Sequence, residues 1–111
     1  MDEREVRIAK TEALFRDVNE RIAETSERFD ADAAEFMCEC ADAGCAERLQ
    51  LPLDEYEEVR GEPTQFVIDP EHVKPDVEQV VARRQGYAVV EKIDRVVAQV
   101  VRRLDPRAEP A

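Results

Sequence analysis

The stretch Phe36-Met-Cys-Glu-Cys-Ala-Asp-Ala-Gly-Cys45 contains all three cysteines of this 111-residue chain, in the spacing C-x-C-x4-C. The residues that follow, Glu47–Leu51, alternate between polar and apolar in the manner of a half-buried strand. We interpret residues 35–51 as a β-hairpin whose loop is the cysteine cluster. The other elements of the fold are placed around this hairpin.

Three thiols on one turn indicate a metal site. Zinc takes four ligands in a tetrahedron, with Zn–S distances near 2.3 Å. In an extended segment Cys38 and Cys40 point to the same side, and Gly44 is expected to let the loop curl so that Cys45 reaches the same point. The only histidine, His72, is the candidate fourth ligand, because Cys3His is a common structural zinc set. We predict one zinc per chain at this site.

The same thiols suit a second chemistry, that of a thiol-based redox or metal sensor. Cys38 or Cys40 would then be the attacking thiolate, and a disulfide such as Cys38–Cys45 would replace zinc on oxidation. The acidic neighbours of the thiols disfavour thiolate formation in the absence of a metal. An iron–sulfur cluster on the same ligands is a further alternative, for which the loop is small.

An enzymatic function has less support in the sequence. A zinc-dependent hydrolase would keep one coordination position open beside a general base, for which Glu39, Asp42 and Glu71 are candidates. A nucleophilic pair of Cys45 and His72 is also conceivable. The chain has no H-E-x-x-H motif, no G-x-S-x-G motif and only three glycines in total. We therefore predict a non-enzyme.

The first and last helices are expected to pack on each other. Ile8, Phe15, Ile22 and Phe29 recur every seven residues and predict an amphipathic helix over 3–28. Val18 lies within the same apolar stripe, and Leu14 and Ala23 widen it. A second stripe predicts a C-terminal helix over 93–104, and it comprises Ile93, Val96, Val97, Val100, Val101 and Leu104. Homodimerisation through the N-terminal helix is the alternative way to cover its apolar face.

The remaining segments indicate an α+β fold with a small antiparallel sheet of hairpins. Residues 52–61 have the pattern of a short helix that Gly61 ends, and residues 64–68 read as a strand. Valine-rich runs at 77–84 and 87–92 flank Gly86 and predict a second hairpin. We predict a single domain over 1–111, in which 3–28 is the long helix, 35–92 is the zinc-loop and sheet core, 93–104 is the C-terminal helix and 105–111 is a flexible tail.

Composition restricts the partners. The net charge of −11 repels phosphate backbones, which argues against nucleic-acid binding, although Arg83-Arg84 and Arg102-Arg103 are local basic pairs. The N-terminal residues contain no apolar run typical of a signal peptide, and no stretch has about 18 consecutive apolar residues. We expect a cytoplasmic protein, in which thiols stay reduced and bind metal rather than form structural disulfides.

An F-x-C-x-C-x4-C loop over residues 36–45 is followed by F-V-x-x-P-x-H over residues 66–72. With these two motifs as its most distinctive part, the chain resembles, over roughly residues 4–92, a family of small bacterial proteins that are uncharacterised. The resemblance implies that Cys38, Cys40, Cys45 and His72 form one site, and it implies no activity. Taken together, the sequence predicts a small zinc-binding protein that serves a protein–protein interaction or a regulatory role with an unknown protein partner.

Overall fold

The computed structural model describes residues 3–108 and confirms the α+β class. In chain order the elements are α1 (Glu3–Arg28), β1 (Ala33–Met37), β2 (Arg48–Pro52), α2 (Leu53–Arg60), β3 (Gln65–Ile68), a 3-10 helix (Pro70–His72), β4 (Glu78–Arg84), β5 (Tyr87–Lys92) and α3 (Arg95–Arg103). Both predicted hairpins are present, with the cysteine loop at the tip of the first. Gly86 turns the second hairpin with a φ of 88°, a conformation that favours glycine.

The strands divide between two antiparallel sheets. One sheet is the β1–β2 hairpin, and the other has the order β3-β5-β4. The chain leaves β1 at Met37, and the Glu39 N–H then donates to the Val67 carbonyl of β3 at 2.9 Å. The Val67 N–H donates not to backbone but to the Glu39 carboxylate, at 3.0 Å. A side chain thus takes the place of the next ladder hydrogen bond, and the two sheets meet without merging.

The buried face of α1 differs from the predicted apolar stripe. Ile8 and Phe15 are buried, but Leu14 and Phe29 are 62% and 77% exposed. A seven-residue repeat drifts by about 20° per heptad around a straight helix, so the stripe leaves the core along the helix, and Phe29 lies beyond its end. The face that is buried consists largely of alanines and polar residues, namely Ala9, Glu12, Ala13, Arg16, Asn19, Glu20 and Ala23. Within residues 3–108 no helix has both the length and the apolar character needed to cross a bilayer.

The C-terminal helix packs on α1, as predicted. Val97, Val100 and Val101 of α3 are buried, whereas Ile93 and Leu104 at its ends are about half exposed. Asp94 begins the helix, because its carboxylate accepts a hydrogen bond from the Val97 N–H at 3.0 Å. The C-terminal helix also contacts β5, the central strand of the three-stranded sheet.

The chain after α3 is held against the body of the protein. Asp105 forms an ion pair with the buried Arg60, and Arg107 forms ion pairs with Glu20 and Glu57. The predicted flexible tail begins at 105, so these contacts anchor its first residues. The remainder of that prediction, residues 109–111, lies outside the described residues.

A buried triad lies between α1 and the three-stranded sheet. The Lys92 ammonium donates to the carboxylates of Glu12, at 2.6 Å, and Glu78, and all three residues are at most 4% exposed. Two carboxylates share one ammonium, and one Glu12 oxygen has no hydrogen-bond partner. Burial raises the pKa of Glu12 to about 7, and the Lys92 charge opposes that rise.

We predict that Glu12 makes stability depend on pH between about 4.5 and 7. The pKa of Glu12 in the folded protein lies above the ordinary value of 4.5, so its stabilising contribution is present below pH 4.5 and is lost as pH rises through 7. Relative to Glu12→Gln, the wild type should lose on the order of 3 kcal/mol between pH 5 and pH 8. Urea unfolding at both pH values measures this, with the exposed Glu24→Gln as control. A difference between wild type and Glu12→Gln that does not change with pH would contradict the prediction.

Candidate metal centre

The structure brings the four predicted ligands together. Cys38 and Cys40 directly follow β1, Cys45 lies in the loop before β2, and His72 ends the 3-10 helix after β3. Their ligand atoms, three Sγ and one imidazole nitrogen, all lie within 4.8 Å of one another. Two segments that are far apart in sequence therefore present one donor set that could hold a metal ion.

The separations of the donor atoms fit tetrahedral coordination. His72 Nδ1 lies 3.5 Å from Cys38 Sγ and 3.6 Å from Cys45 Sγ. Zn–S bonds near 2.3 Å and Zn–N bonds near 2.0–2.1 Å, set at the tetrahedral angle, place sulfur and nitrogen about 3.6 Å apart. The two segments thus need little movement to close around an ion of that size.

Asp42 shapes the cysteine loop. Its carboxylate accepts a hydrogen bond from the Gly44 N–H at 2.9 Å, and its carbonyl accepts one from the Cys45 N–H at 3.0 Å. The prediction that the loop needs the conformational freedom of Gly44 is wrong. The φ of Gly44 is not positive, and an added Cβ would meet Asp42 at 3.4 Å, an ordinary contact. The aspartate turn carries Cys45 back toward the other thiols.

Asp69 plays the corresponding part on the histidine side. Its carboxylate accepts from the Glu71 N–H at 2.9 Å, and its carbonyl accepts from the His72 N–H at 2.9 Å. Its own N–H donates to Cys38 Sγ at 3.2 Å. Asp69 therefore starts the 3-10 helix that carries the imidazole and also contacts the thiol across the site.

The thiols favour a single negative charge when no cation is present. A hydrogen bond from Cys38 lowers the pKa of Cys40 to about 5, although burial opposes this. The same hydrogen bond, followed by burial, raises the pKa of Cys38, and burial raises the pKa of Cys45. Deprotonating all three thiols thus requires positive charge at their centre, which a divalent cation supplies.

Glu39, between the first two cysteines, is fully buried and faces a polar network. Its carboxylate accepts hydrogen bonds from the Val67 N–H at 3.0 Å, from Asn19 at 3.0 Å and from Arg16 at 3.4 Å. Asn19 also binds the backbone N–H and carbonyl of Met37, at 2.7 and 2.9 Å. Glu39 is therefore engaged in structural contacts, which argues against its predicted alternative role as a general base.

The other two candidate bases, Asp42 and Glu71, lie at the surface of the protein. The Asp42 carboxylate is engaged in the loop turn, and Glu71 is exposed.

Sequence reasoning missed Arg16 and Asn19, which hold Glu39 from α1. The available signal was the recurrence of polar residues at helical spacing along the inner face, from Glu12 through Arg16 to Asn19.

Comparisons with protein-family models, with curated proteins and with solved structures find no match to this chain. The resemblance of its motifs to a family of small bacterial proteins therefore stays a prediction. Any function assigned to the chain depends on the geometry of its own residues.

We predict that removing the Glu39 carboxylate destabilises the fold strongly. Glu39→Ala leaves the Arg16 guanidinium buried without its carboxylate and the Val67 N–H without an acceptor, which should cost about 3–5 kcal/mol. Glu39→Gln keeps an acceptor oxygen and should cost less. Urea unfolding of both variants, in the presence of zinc, measures the difference. Equal and small losses in the two variants would show that the network contributes little.

Proposed function

We propose that this chain is a small, non-enzymatic zinc-binding protein whose single zinc ion has a structural role. Convergence of the Cys38, Cys40, Cys45 and His72 donor atoms within 4.8 Å is the observation that carries the proposal. The donors come from two parts of the fold, namely the loop of the two-stranded sheet and the 3-10 helix that follows β3. An ion held by all four would join these two parts.

The donor set favours zinc among the common metals. Three thiolates and one imidazole are soft or borderline ligands, which select against magnesium and calcium. A closed tetrahedron of sulfur and nitrogen is the ordinary coordination of structural zinc. The S···N separations of 3.5 and 3.6 Å agree with that geometry.

The position of His72 supports a closed site over a catalytic one. A hydrolytic zinc needs a position open to water and a base beside it. Here the imidazole Nδ1 faces two of the thiols, and the Glu39 carboxylate is engaged elsewhere. We therefore assign the zinc a stabilising role, in which its binding energy, on the order of 10 kcal/mol in small zinc domains, contributes to folding.

The biological role that fits such a scaffold is to present a surface to a protein partner in the cytoplasm, where thiols remain reduced. Leu14, Val18 and Phe29, on and just after α1, are exposed apolar residues that a protein partner or a second copy could cover. The net charge of −11 disfavours nucleic acid as that partner.

We predict that the purified protein contains one zinc per chain and that His72 is a ligand. Native mass spectrometry and elemental analysis of wild type, His72→Ala and Glu71→Ala test this. The Glu71→Ala control alters the exposed neighbour on the same 3-10 helix and should retain zinc fully. His72→Ala should bind zinc at least tenfold more weakly, because one of the four bonds is lost. Equal zinc binding in His72→Ala would leave the fourth position to another group, and a metal-free wild type would refute the zinc centre.

We also predict that metal removal destabilises the protein. Chelation should lower the melting temperature by about 10 °C or more, because several kcal/mol of binding energy are lost and each kcal/mol shifts a domain of this size by about 4–8 °C. Calorimetry under reducing conditions, before and after chelation and after zinc is restored, measures the change. An unchanged melting temperature after complete zinc removal would contradict a structural role.

A further inference from the structure

We propose that Cys45 is a redox-modification site through which a peroxide oxidises this centre and releases its zinc. The inference rests on the proposed function, since it concerns regulation of the same site. Two observations carry it: the three thiols differ in their access to solvent, and the four ligands belong to two separate segments of the chain.

Cys45 is the thiol that a small oxidant can reach. Cys38 and Cys40 are 1% and 3% exposed, whereas Cys45 is only partly buried. Its neighbours in the loop, Gly44 and Ala46, are exposed. A peroxide molecule approaching from solvent therefore meets the Cys45 sulfur before it meets the other two.

The resolving thiol is already in place. The three Sγ atoms belong to the donor group that lies within 4.8 Å, so Cys45 needs only a small movement to reach Cys38 or Cys40. Cys38 and Cys40 are separated by one residue in the segment that runs on from β1, where closing a disulfide strains the backbone. The disulfide that forms therefore includes Cys45.

The chemistry balances with peroxide as the only added reagent. The Cys45 thiolate attacks one peroxide oxygen, the O–O bond breaks, and a sulfenic acid and hydroxide form while sulfur loses two electrons. The second thiolate then attacks the sulfenic sulfur, the S–S bond forms, and a second hydroxide leaves. One peroxide thus converts two thiolates into one disulfide and leaves zinc with one thiolate and one imidazole, too few ligands to retain it.

Oxidation would change which parts of the molecule are joined. Zinc links the cysteine loop to His72, whereas the disulfide links only residues within the cysteine loop. The 3-10 helix then keeps its Asp69 turn but loses the link to the loop that runs through His72 and the metal. The Glu39 network involves no thiol, so the contacts of α1 with β1 and β3 remain. The outcome is a local release at residues 70–73 rather than unfolding, because Lys74 and Asp76 keep their contacts with Glu78 and Arg4.

The test follows zinc and thiols in the zinc-loaded protein treated with one equivalent of hydrogen peroxide. A colorimetric chelator should detect release of close to one zinc per chain, free thiols should fall from three to one, and peptide mapping should find Cys45 in the disulfide. Hydrogen exchange should increase at residues 70–73 and stay unchanged in the central turns of α1. A Cys38–Cys40 disulfide, or zinc that stays bound while peroxide is consumed elsewhere, would overturn the proposal.

Cys45→His is the matched variant, because it keeps four donors and removes the accessible thiol. It should release zinc at least tenfold more slowly than the wild type, and equal rates would refute the role of Cys45. Should this variant fail to bind zinc, trapping of the sulfenic acid in the wild type with a dione reagent decides the question, since the adduct must be on Cys45. An untreated protein that binds no zinc would refute the proposed function itself. Zinc that binds and resists peroxide would refute only this inference.

Discussion

The buried ion pair between Arg16 and Glu39 is the interaction on which the two-sheet arrangement depends. The Glu39 carboxylate accepts a hydrogen bond from the Val67 N–H. The Arg16 guanidinium donates hydrogen bonds to the carbonyls of Gln65 and Pro63. The two side chains therefore satisfy backbone groups along the free edge of β3. An unpaired, buried strand edge is costly because its polar groups lose water without gaining partners. The Arg16 guanidinium also stacks on the Phe66 ring, 3.6 Å from its centre. The pair thereby occupies the position of a neighbouring strand and joins α1 to both sheets.

The same constraint orients the candidate metal ligands. In an extended segment, alternate side chains point to opposite sides. Because Glu39 points inward to Arg16 and Asn19, Cys38 and Cys40 on either side of it must point together in the other direction. Asn19 adds to this by binding both backbone polar groups of Met37, which fixes the chain just before the first cysteine. One backbone register thus places Glu39 against the polar face of α1 and both thiols on the opposite side. A shift of that register by one residue would turn the thiols toward α1 and Glu39 away from it.

Local signals in the sequence sufficed for the elements and for the four residues that the fold brings together at the candidate metal site. The turn residues, the valine runs and the helix termini depend on neighbours in the chain, and the rarity of cysteine and histidine left few candidate ligands. The face of α1 could not be predicted in the same way. Apolar spacing favoured Leu14 and Phe29 as buried residues. A helix can instead bury charged residues when distant residues supply partners for them. Those partners, such as Lys92 for Glu12, are set by tertiary structure. The division into two sheets was hidden for the same reason, since it depends on the contact between Glu39 and Val67.

Buried charges and the candidate metal site are complementary in a chain of this size. A buried ion pair adds little net stability, because the loss of hydration offsets much of the attraction, although breaking the pair is costly. The networks around Arg16, Lys92 and Arg60 therefore select one register and one packing of α1 more than they stabilise the folded state. A domain of about 100 residues with such an interior has a limited apolar core from which to draw stability. The charges thus specify the fold, and a metal ion held by the four candidate ligands would add free energy at the junction of the two sheets.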